Sequence, residues 1–373
     1  MPMRPSLAPP PEAQEIGSSE FLDPYWPMRV NLNSLAPVSI FGNETCRVAK
    51  QAKGASTKKS STKPPAKKAP AKGAVVKKAA AKTPAARASS ATAAASPSPP
   101  AAKPAVAAQG SGHIYIGVGG WTFAPWRGVF YPDKLPQAKE LEYAGSKLTS
   151  IEINGTYYGS QKPESFRKWA REVPDGFVFS VKGSRFTTNR RVLAEAGDSI
   201  KHFYNTGVLE LGDRLGPVLW QFAPTKKFEE VDFGKFLELL PRKMDGRKLR
   251  HVVEVRHDSF RTPAFIALLR QFEIPVVFAE HFTYPGIADV VGDFVYARLQ
   301  KGNDDIATCY PPQQLDQWAA RLQLWASGGE PDDLPRVDAA RAPNKPRDVF
   351  AYVIHEGKVR APAGAMELIE RLR

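Results

Sequence analysis

The run LRHVVEVR, residues 249–256, is apolar at its centre and ends on the charged residues Glu254 and Arg256. Consecutive side chains of a strand point to opposite faces, so Glu254 and Arg256 share one face. A helical pattern over residues 262–271 follows the run after a short gap. A buried strand that ends in polar groups and is followed by a helix is typical of parallel α/β folds.

The same unit recurs throughout the chain from His113 onward. Further β-rich runs lie at 113–120, 150–158, 177–183, 216–222, 274–280, 293–299 and 348–354. Helical patterns lie near 135–147, 162–172, 198–211, 230–240, 312–326 and 362–372, but little helical pattern follows 274–280. Eight units in about 260 residues predict an α/β fold, a (β/α)8 TIM-like barrel that is irregular at its sixth unit. An open doubly wound sheet is the alternative, although no GxGxxG motif opens a helix after the first strand.

The net charge of +14 comes mostly from residues 50–112, which hold 13 Lys or Arg residues and no Asp or Glu. This segment is rich in Ala and Pro and has too few large apolar side chains to offset the entropy cost of folding. We therefore predict a long, basic, disordered tail over 50–112. Residues 1–49 form an unassigned N-terminal extension, and residues 113–373 form the barrel domain.

The composition of the tail resembles the Lys/Ala/Pro tails of linker histones and bacterial histone-like proteins. Lysines that meet phosphates release counterions, which gives weak, salt-sensitive binding to nucleic acid without sequence preference. A solvated linker that only increases solubility is the alternative. The lysine pairs that carry the predicted nucleic-acid contact are Lys58, Lys59, Lys67, Lys68, Lys77 and Lys78.

Cysteine content and hydropathy indicate a cellular compartment. The two cysteines, Cys46 and Cys309, form neither a CxxC motif nor a disulfide framework, which fits a reducing cytosol. The first residues lack the apolar stretch of a signal peptide, and no window approaches the roughly 20 apolar residues of a transmembrane helix. We expect a cytoplasmic protein with no membrane partner, associated with the nucleoid if its tail binds DNA.

Polar residues at the ends of the predicted strands are the candidates for a functional site, because TIM barrels carry their active sites at the carboxyl ends of the strands. We assign acid–base roles to Glu152 and Glu254, electrostatic roles to Lys182 and Arg256, and the role of proton shuttle or metal ligand to His257. Buried ion pairs with only a structural role, such as Glu254 with Arg256, are the alternative. The candidate substrate-binding residues are Trp121, Trp126, Asn154, Tyr158, Arg185, Gln221 and Arg298.

Three chemistries remain open for these residues. A metal site for Mg²⁺ or Mn²⁺ would draw on Glu152, Glu254, Glu280 and His257, although no HxH or HExxH motif supports it. General acid–base catalysis would use the two carboxylates. A covalent route would use Lys182 as an amine, which requires a depressed pKa. The cofactor and the small-molecule substrate are both unknown at this point.

Two loops could add substrate contacts. The loop VKGSRFTTNRR, residues 181–191, could grip a phosphate or carboxylate through Arg185, or it could be a solvated basic loop. The stretch GVGGWTFAPWRGVFYP, residues 117–132, places Trp121 and Trp126 on either side of a proline. Those rings could form an aromatic wall for a sugar or base, or a cluster that caps the barrel.

Six motifs in collinear order resemble the YecE-like family, the domain of unknown function seventy-two (DUF72). They are IGVGGWTF with PWRGVFYP, SIEINGTYY with PESFRKW, PDGFVFSVKGSRFTT, LGPVLWQFAP, VVEVRHDSF and FVYARL, and together they span nearly all of 113–372. The resemblance implies a TIM-barrel-like fold and leaves the reaction open, since the activity of the family is not established. It also implies that the candidate residues named above, apart from Glu280, are typical family positions.

The chain departs from the family pattern at two strand ends. It reads Arg298-Leu299-Gln300-Lys301 where the family usually has Arg-Leu-His-Gly, and Ile354-His355 where an Asn-Asn pair is usual. We predict an enzyme of hydrolase, lyase or isomerase type that acts on a small anionic or sugar-like substrate. A non-catalytic barrel that associates with the nucleoid or binds a partner is the alternative, which the two departures would permit.

Overall fold

The structure, a computed structural model, describes residues 110–373. The predictions for the N-terminal extension and for residues 50–109 of the basic tail, which include all of its lysines, lie outside these described residues. Eight parallel strands form one sheet. They are β1 Ile114–Gly119, β2 Ser150–Ile153, β3 Val178–Lys182, β4 Leu215–Gln221, β5 His251–Glu254, β6 Val277–Glu280, β7 Phe294–Lys301 and β8 Asp348–Glu356.

The strands follow the order β5-β4-β3-β2-β1-β8-β7-β6 around the sheet. Between the two end strands, β5 and β6, the described residues form one isolated parallel bridge, Val253 to Val276. The Val253 amide also donates a hydrogen bond to the carbonyl oxygen of Pro275, with an N···O distance of 3.0 Å. These contacts nearly close the sheet, which confirms the predicted TIM-like barrel, and the open-sheet alternative is wrong.

Helices follow seven of the eight strands on the outside of the barrel. They are α1 Glu140–Lys147, α2 Gly155–Tyr158, α3 Pro163–Glu172, α4 Arg185–Thr188, α5 Gly197–Asn205, α6 Glu230–Leu239, α7 Pro263–Phe272, α8 Pro312–Ala326 and α9 Ala361–Arg371. Residues 281–293, after β6, contain no helix, which confirms the irregular sixth unit. No helix among the residues with described positions is long and apolar enough to cross a membrane.

Local sequence signals explain where the helices begin and end. Proline, whose fixed φ suits a first helical turn, begins α3, α7 and α8. The helix predicted over 198–211 ends early, at Asn205, because Gly207 adopts a left-handed conformation with φ of 97°. A 3₁₀ segment, Val208–Arg214, then leads into β4.

Two apolar layers surround the strands. The outer layer, between strands and helices, includes the buried rings of Trp220, Trp318 and Trp325. The inner layer fills the amino-terminal part of the barrel with Leu219, Val252, Val277, Phe294 and Phe350. Because the inward side chains become polar toward the carboxyl ends of the strands, the fold places its buried polar groups at that end, which we call the mouth.

Candidate functional site

The alternation of side chains along the strands places one set of polar groups inside the barrel. On β7, Tyr296 and Arg298 alternate with outward-facing Val295 and Ala297, and both polar side chains are nearly completely buried. Glu152 on β2 and Glu254 on β5 are completely buried. Charged groups this deep in a protein need partners, so the contacts among them define the site.

Arg298 joins the two carboxylates. Its Nη2 donates to Glu152 Oε1 at 3.1 Å, and its Nη1 donates to Glu254 Oε2 at 2.8 Å. The carboxylates come from β2 and β5, which are not neighbours in the sheet. A planar guanidinium with several fixed N–H groups can bridge such separated acceptors. We refer to Glu152, Gln221, Glu254, Arg256 and Arg298 as the mouth network.

Arg256 covers the network on the side of the solvent. Its Nε donates to the second oxygen of Glu254, Oε1, at 2.9 Å, and its Nη2 donates to Gln221 Oε1 at 2.8 Å. Its guanidinium also lies 4.5 Å from the ring centroid of Tyr284. The side chain retains 14% exposure, compared with 5% for Arg298, so Arg256 is the guanidinium that a ligand can reach.

All four oxygens of the two carboxylates have donors. Tyr296 Oη donates to Glu152 Oε2 at 2.7 Å, and arginines take the other three. Burial by itself raises the pKa of Glu254, but the positive charges of Arg256, Arg298 and Lys182 together lower it to about 2. Glu254 is therefore negatively charged near neutral pH, whereas a general acid or base works best with a pKa near the operating pH.

Lys182 adds a further positive charge to an already balanced group. Its ammonium lies over the ring of Tyr157, 4.3 Å from the centroid, and its side chain is buried. Burial, together with the charges of Arg298 and Arg256, lowers the pKa of Lys182 to about 7. The two carboxylates already balance the charges of the two guanidiniums, so no further negative charge holds Lys182 in its charged form. Its amine therefore exchanges between charged and neutral forms near physiological pH.

Two histidines lie at the same end of the barrel. The ring of His281 stacks on Tyr284, with centroids 3.8 Å apart, and its Nδ1 accepts hydrogen bonds from the amides of Thr283 and Tyr284. Burial and the neighbouring His355 and Arg256 lower the pKa of His281 to about 4. The imidazole is therefore neutral, with its proton on Nε2. His355 adopts a φ of 81° where the pairing of β8 with β7 shifts register, and its ring lies 5.4 Å from that of His281.

The four residues of the predicted metal site do not converge. Glu280 accepts a hydrogen bond from Tyr310 Oη at 2.8 Å, on the outer side of β6 where Phe278 packs against Trp318. His257 Nδ1 accepts from the Ser259 amide and caps the following turn. Among the described residues, no three His, Cys, Asp or Glu side chains form a group that could hold a metal ion. The donor set does not fit Mg²⁺ or Mn²⁺, and His257 is not part of the mouth network.

The tryptophans of the first loop pack into the fold. Trp126 is 1% exposed, packs edge-on against Phe130, and donates from Nε1 to the carbonyl oxygen of Lys358 at 2.8 Å. Trp121 packs against Trp169 and Phe179 on the outer side of β3. Both rings therefore pack into aromatic clusters of the fold, and Trp126 leaves almost no exposed surface for a ligand.

The other candidates lie at the edge of the mouth or within its network. Gln221 belongs to the network, Asn154 Nδ2 donates weakly to the carbonyl oxygen of Glu152, and Tyr158 packs edge-on against Tyr157. Arg185 is exposed on α4, with its guanidinium over the Phe186 ring. Asn154, Tyr158 and Arg185 thus lie around the network, and in the described structure neither Asn154 nor Arg185 makes a hydrogen bond to its side chains.

Sequence reasoning missed several aromatic groups of the site. Tyr296 shares a face with Arg298 on one strand, so strand alternation alone would have identified it. Tyr157 reaches the mouth from α2 and Tyr284 from the loop after β6, and nothing in the sequence of either segment indicates the direction of these rings. Gln300, one of the departures from the family pattern, is completely buried, and neither polar atom of its side-chain amide has a hydrogen-bond partner within residues 110–373.

Comparison with known proteins gives one family over the whole barrel. The family described as "Protein of unknown function DUF72" matches residues 115–373. The UPF0759 protein YunF of Bacillus subtilis is 28% identical over 116 residues, which is 30% of this chain and 40% of YunF. The UPF0759 protein YecE of Escherichia coli K12 is 28% identical over 148 residues, 39% of this chain and 50% of YecE. The chain thus aligns with half or less of the length of these curated relatives.

Solved structures of the same family share the fold. A DUF72 family protein from Enterococcus faecalis V583 superposes with a TM-score of 0.51 at 16% identity, covering 69% of this chain and 95% of that one. A second, from Thermotoga maritima MSB8, gives a TM-score of 0.51 at 21% identity, covering 68% and 96%. At these identities the likeness concerns the fold alone.

Proposed function

The chain belongs to the DUF72 family, and we propose that it is an enzyme that acts on a small anionic or sugar-like substrate at the mouth of its barrel. The observation that carries this proposal is the buried amine of Lys182 beside a charge-balanced network. A charged ammonium with no unshared carboxylate beside it favours an incoming anion. The same amine, once neutral, can accept a proton from a bound substrate.

In this proposal, different residues of the mouth bind the substrate and transfer the proton. Lys182 transfers the proton, which replaces the acid–base assignment of Glu152 and Glu254. The two carboxylates hold Arg298 and Arg256 in place through hydrogen bonds. Arg256 is the anchor for the anionic group of the substrate, because two of its five N–H groups are not used within the network or by Tyr284.

Proton transfer by an amine is a step common to isomerases, lyases and hydrolases, so the proposal keeps all three reaction types. His281 adds a neutral imidazole, whose Nε2–H can donate a hydrogen bond to the substrate. No step is assigned to a metal ion, because Glu280 and His257 point away from the carboxylates.

A ligand screen with matched variants tests the proposal. The full-length chain is heated with sugar phosphates, sugar acids and nucleotides, and a ligand at a hundredfold excess over its Kd should stabilise it by about 2.7 kcal/mol. Lys182→Met and Arg256→Gln should each remove that stabilisation. Glu140→Gln is the control. Glu140 lies on α1, where its buried carboxylate pairs with Arg127, outside the mouth network.

Two outcomes of the screen would contradict the proposal. One is that no compound stabilises the wild-type chain, which would favour the non-catalytic, partner-binding barrel. The other is that a stabilising compound acts equally well on both mouth variants, which would place its site elsewhere.

Burial of the charged amine of Lys182 lowers the stability of the folded chain, and this effect can be measured without a substrate. Its pKa is 10.5 in an unfolded chain and about 7 in the barrel, so the unfolded state binds more protons between these values and stability rises with pH there. Lys182→Met should therefore raise the free energy of unfolding by about 1–3 kcal/mol near pH 6, and the gain should fade as the pH approaches about 10.

Urea unfolding at the two pH values measures this effect. Lys226→Met is the matched control, because Lys226 is ion-paired with Asp232 and bonded to the carbonyl oxygen of Arg191. That substitution should destabilise the chain. A loss of stability in Lys182→Met near pH 6 would mean that the ammonium is well compensated, and the proposed proton acceptor would lose its basis.

A further inference from the structure

Exposed aromatic rings gather at one end of the barrel. Among the described residues, the large hydrophobic side chains that stay exposed include three aromatic ones: Tyr158 at 44%, Phe186 at 65% and Phe282 at 70%. They follow β2, β3 and β6, directly after the carboxyl ends of those strands. All three rings therefore belong to the rim of the mouth, and water-exposed aromatic surface concentrated at one place indicates a binding surface.

Positive charges accompany two of these rings. The guanidinium of Arg185 lies 5.4 Å from the ring centroid of Phe186, and Lys301 Nζ lies 5.4 Å from that of Phe282. Phe186 and Phe282 stay 65% and 70% exposed despite these pairings, so each still offers ring surface beside a cation. A planar group that carries a negative charge fits this combination.

The pattern continues inward from the rim. Lys182 lies over Tyr157 and Arg256 lies over Tyr284, at 4.3 and 4.5 Å from the ring centroids. Tyr157 follows β2, Lys182 ends β3, and Arg256 and Tyr284 follow β5 and β6, so the pairs lie along the arc of the mouth from β2 to β6. Aromatic rings interleaved with Lys and Arg are the features with which proteins hold single strands, because every base has a face that can stack.

We propose that the rim binds single-stranded nucleic acid, with bases stacked on Phe186 and Phe282 and phosphates held by Arg185 and Lys301. Two strands, β4 and β5, lie between β3 and β6 on the path through the β5–β6 bridge, and four lie between them on the other path, so a ligand that touches both rings must cross part of the mouth. A strand of several nucleotides can do so, whereas a duplex keeps its bases paired and away from the rings. The inference rests on the proposed function, since it makes a nucleotide, which is both anionic and sugar-bearing, the substrate class.

The test separates the rim from the basic tail. In the full-length chain, the twelve lysines and Arg87 of residues 50–112 are replaced by glutamine, so that the tail no longer attracts phosphates. Fluorescence anisotropy then measures binding of a labelled single strand of about twelve nucleotides, a length within the range of known single-strand sites. The same strand annealed to its complement, and a mononucleotide, are compared as competitors.

Binding of the single strand should persist in the tail-neutral chain. Phe186→Ala and Phe282→Ala should each weaken it about tenfold, the effect of losing one base stack. Leu324→Ala is the control, since Leu324 is 42% exposed on α8, far along that helix from the mouth, and it should leave binding unchanged. Duplex and mononucleotide should compete at least tenfold less well than the single strand.

The inference is overturned if the tail-neutral chain does not bind the single strand, if the phenylalanine variants behave like Leu324→Ala, or if the duplex or the mononucleotide competes as well as the single strand. Its failure is distinct from failure of the proposed function. A small compound whose stabilisation requires Lys182, without any oligonucleotide binding, would retain the enzyme and reject the nucleic-acid substrate. Oligonucleotide binding that needs both rings, without any effect of Lys182→Met on any small compound, would retain the surface and reject the chemistry.

Discussion

Arg298 is the residue on which the arrangement of the mouth depends. It is buried, donates to carboxylates from two strands that are not neighbours, and keeps its Nε without a hydrogen-bond partner among the described residues. A lysine could not replace it, because a single ammonium cannot present fixed N–H groups to both Glu152 and Glu254. The two carboxylates are therefore held apart at a defined separation, which shapes the floor of the site.

Glu254→Gln should be strongly destabilising. The substitution leaves Arg256 and Arg298 with one carboxylate between them, and removing one partner of a buried ion pair costs about 3–5 kcal/mol. Urea unfolding near neutral pH measures the loss. Glu140→Gln should cost less, because its partner Arg127 is 47% exposed and can be hydrated instead.

The stability that Glu254→Gln loses should also depend on pH, in the direction set by the pKa of Glu254. The pKa of Glu254 falls from 4.5 to about 2 on folding, so its contribution to stability is complete above pH 4.5 and declines as the pH falls toward 2. The difference between wild type and Glu254→Gln should therefore narrow below pH 4.5. A constant difference down to about pH 2 would mean that the charge of Glu254 contributes nothing to the fold.

At the scale of residues, the sequence predicted which side chains of one strand lie together better than it predicted whether a side chain faces into or out of the barrel. Strand alternation predicted that Glu254 and Arg256 share a face, and the structure joins them by a hydrogen bond of 2.9 Å. It could not predict that Glu280 at the end of β6 would face outward to Tyr310, because the short run 274–280 is apolar on both faces. The polar ends of strands looked alike in sequence, and only the register of each strand decides which of them enter the barrel.

At the scale of elements, the sixth unit is where the barrel departs from regularity. β6 spans four residues, is followed by no helix, and meets β5 through one bridge, whereas β2 and β3 pair along four positions. The β5–β6 junction therefore has the fewest paired positions of any adjacent strands in the described barrel, since every other neighbouring pair is joined at three or more positions.

We predict that this junction opens more readily than the rest of the sheet. Amide hydrogen exchange followed by mass spectrometry should find faster exchange in peptides covering residues 276–293 than in peptides covering β2 and β3. A ligand that binds at the mouth should slow the exchange of residues 281–284, since His281 and Tyr284 line it. Equal protection of β6 and β2 would show that side-chain packing alone holds the junction closed.

Element boundaries followed from the sequence wherever periodicity and a terminal signal agreed. The helix predicted over 312–326 has those bounds in the structure, with Pro312 as its first residue. The two-stranded hairpin Lys243–Met244 with Arg247–Lys248 was missed. Its Asp245-Gly246 turn, with both residues at positive φ, is a strong hairpin signal, but charged neighbours replace the alternating apolar residues that normally accompany it.

At the scale of the whole molecule, the charge is divided unevenly. Residues from 113 onward hold 36 Lys or Arg against 33 Asp or Glu, so the barrel portion is nearly neutral, while residues 50–112 carry only positive charge. The proposed rim would hold nucleic acid by stacking together with the phosphate contacts of Arg185 and Lys301, and the predicted tail would hold it through phosphates alone. These two modes differ in their response to salt, because only phosphate contacts release condensed counterions.

The tail lies outside the described residues, and its nucleic-acid affinity therefore stays a prediction that binding measurements can test. Replacing Lys58, Lys59, Lys67, Lys68, Lys77 and Lys78 by glutamine in the full-length chain should weaken binding to duplex DNA equally for all sequences. The slope of log K against log salt concentration should fall by about one for each lysine that contacts a phosphate. The control replaces exposed lysines of the barrel exterior, Lys134, Lys168, Lys201, Lys235, Lys243 and Lys248. If the control lowers the slope as much as the tail variant, the attraction follows from net charge, and the tail is a solubilising linker.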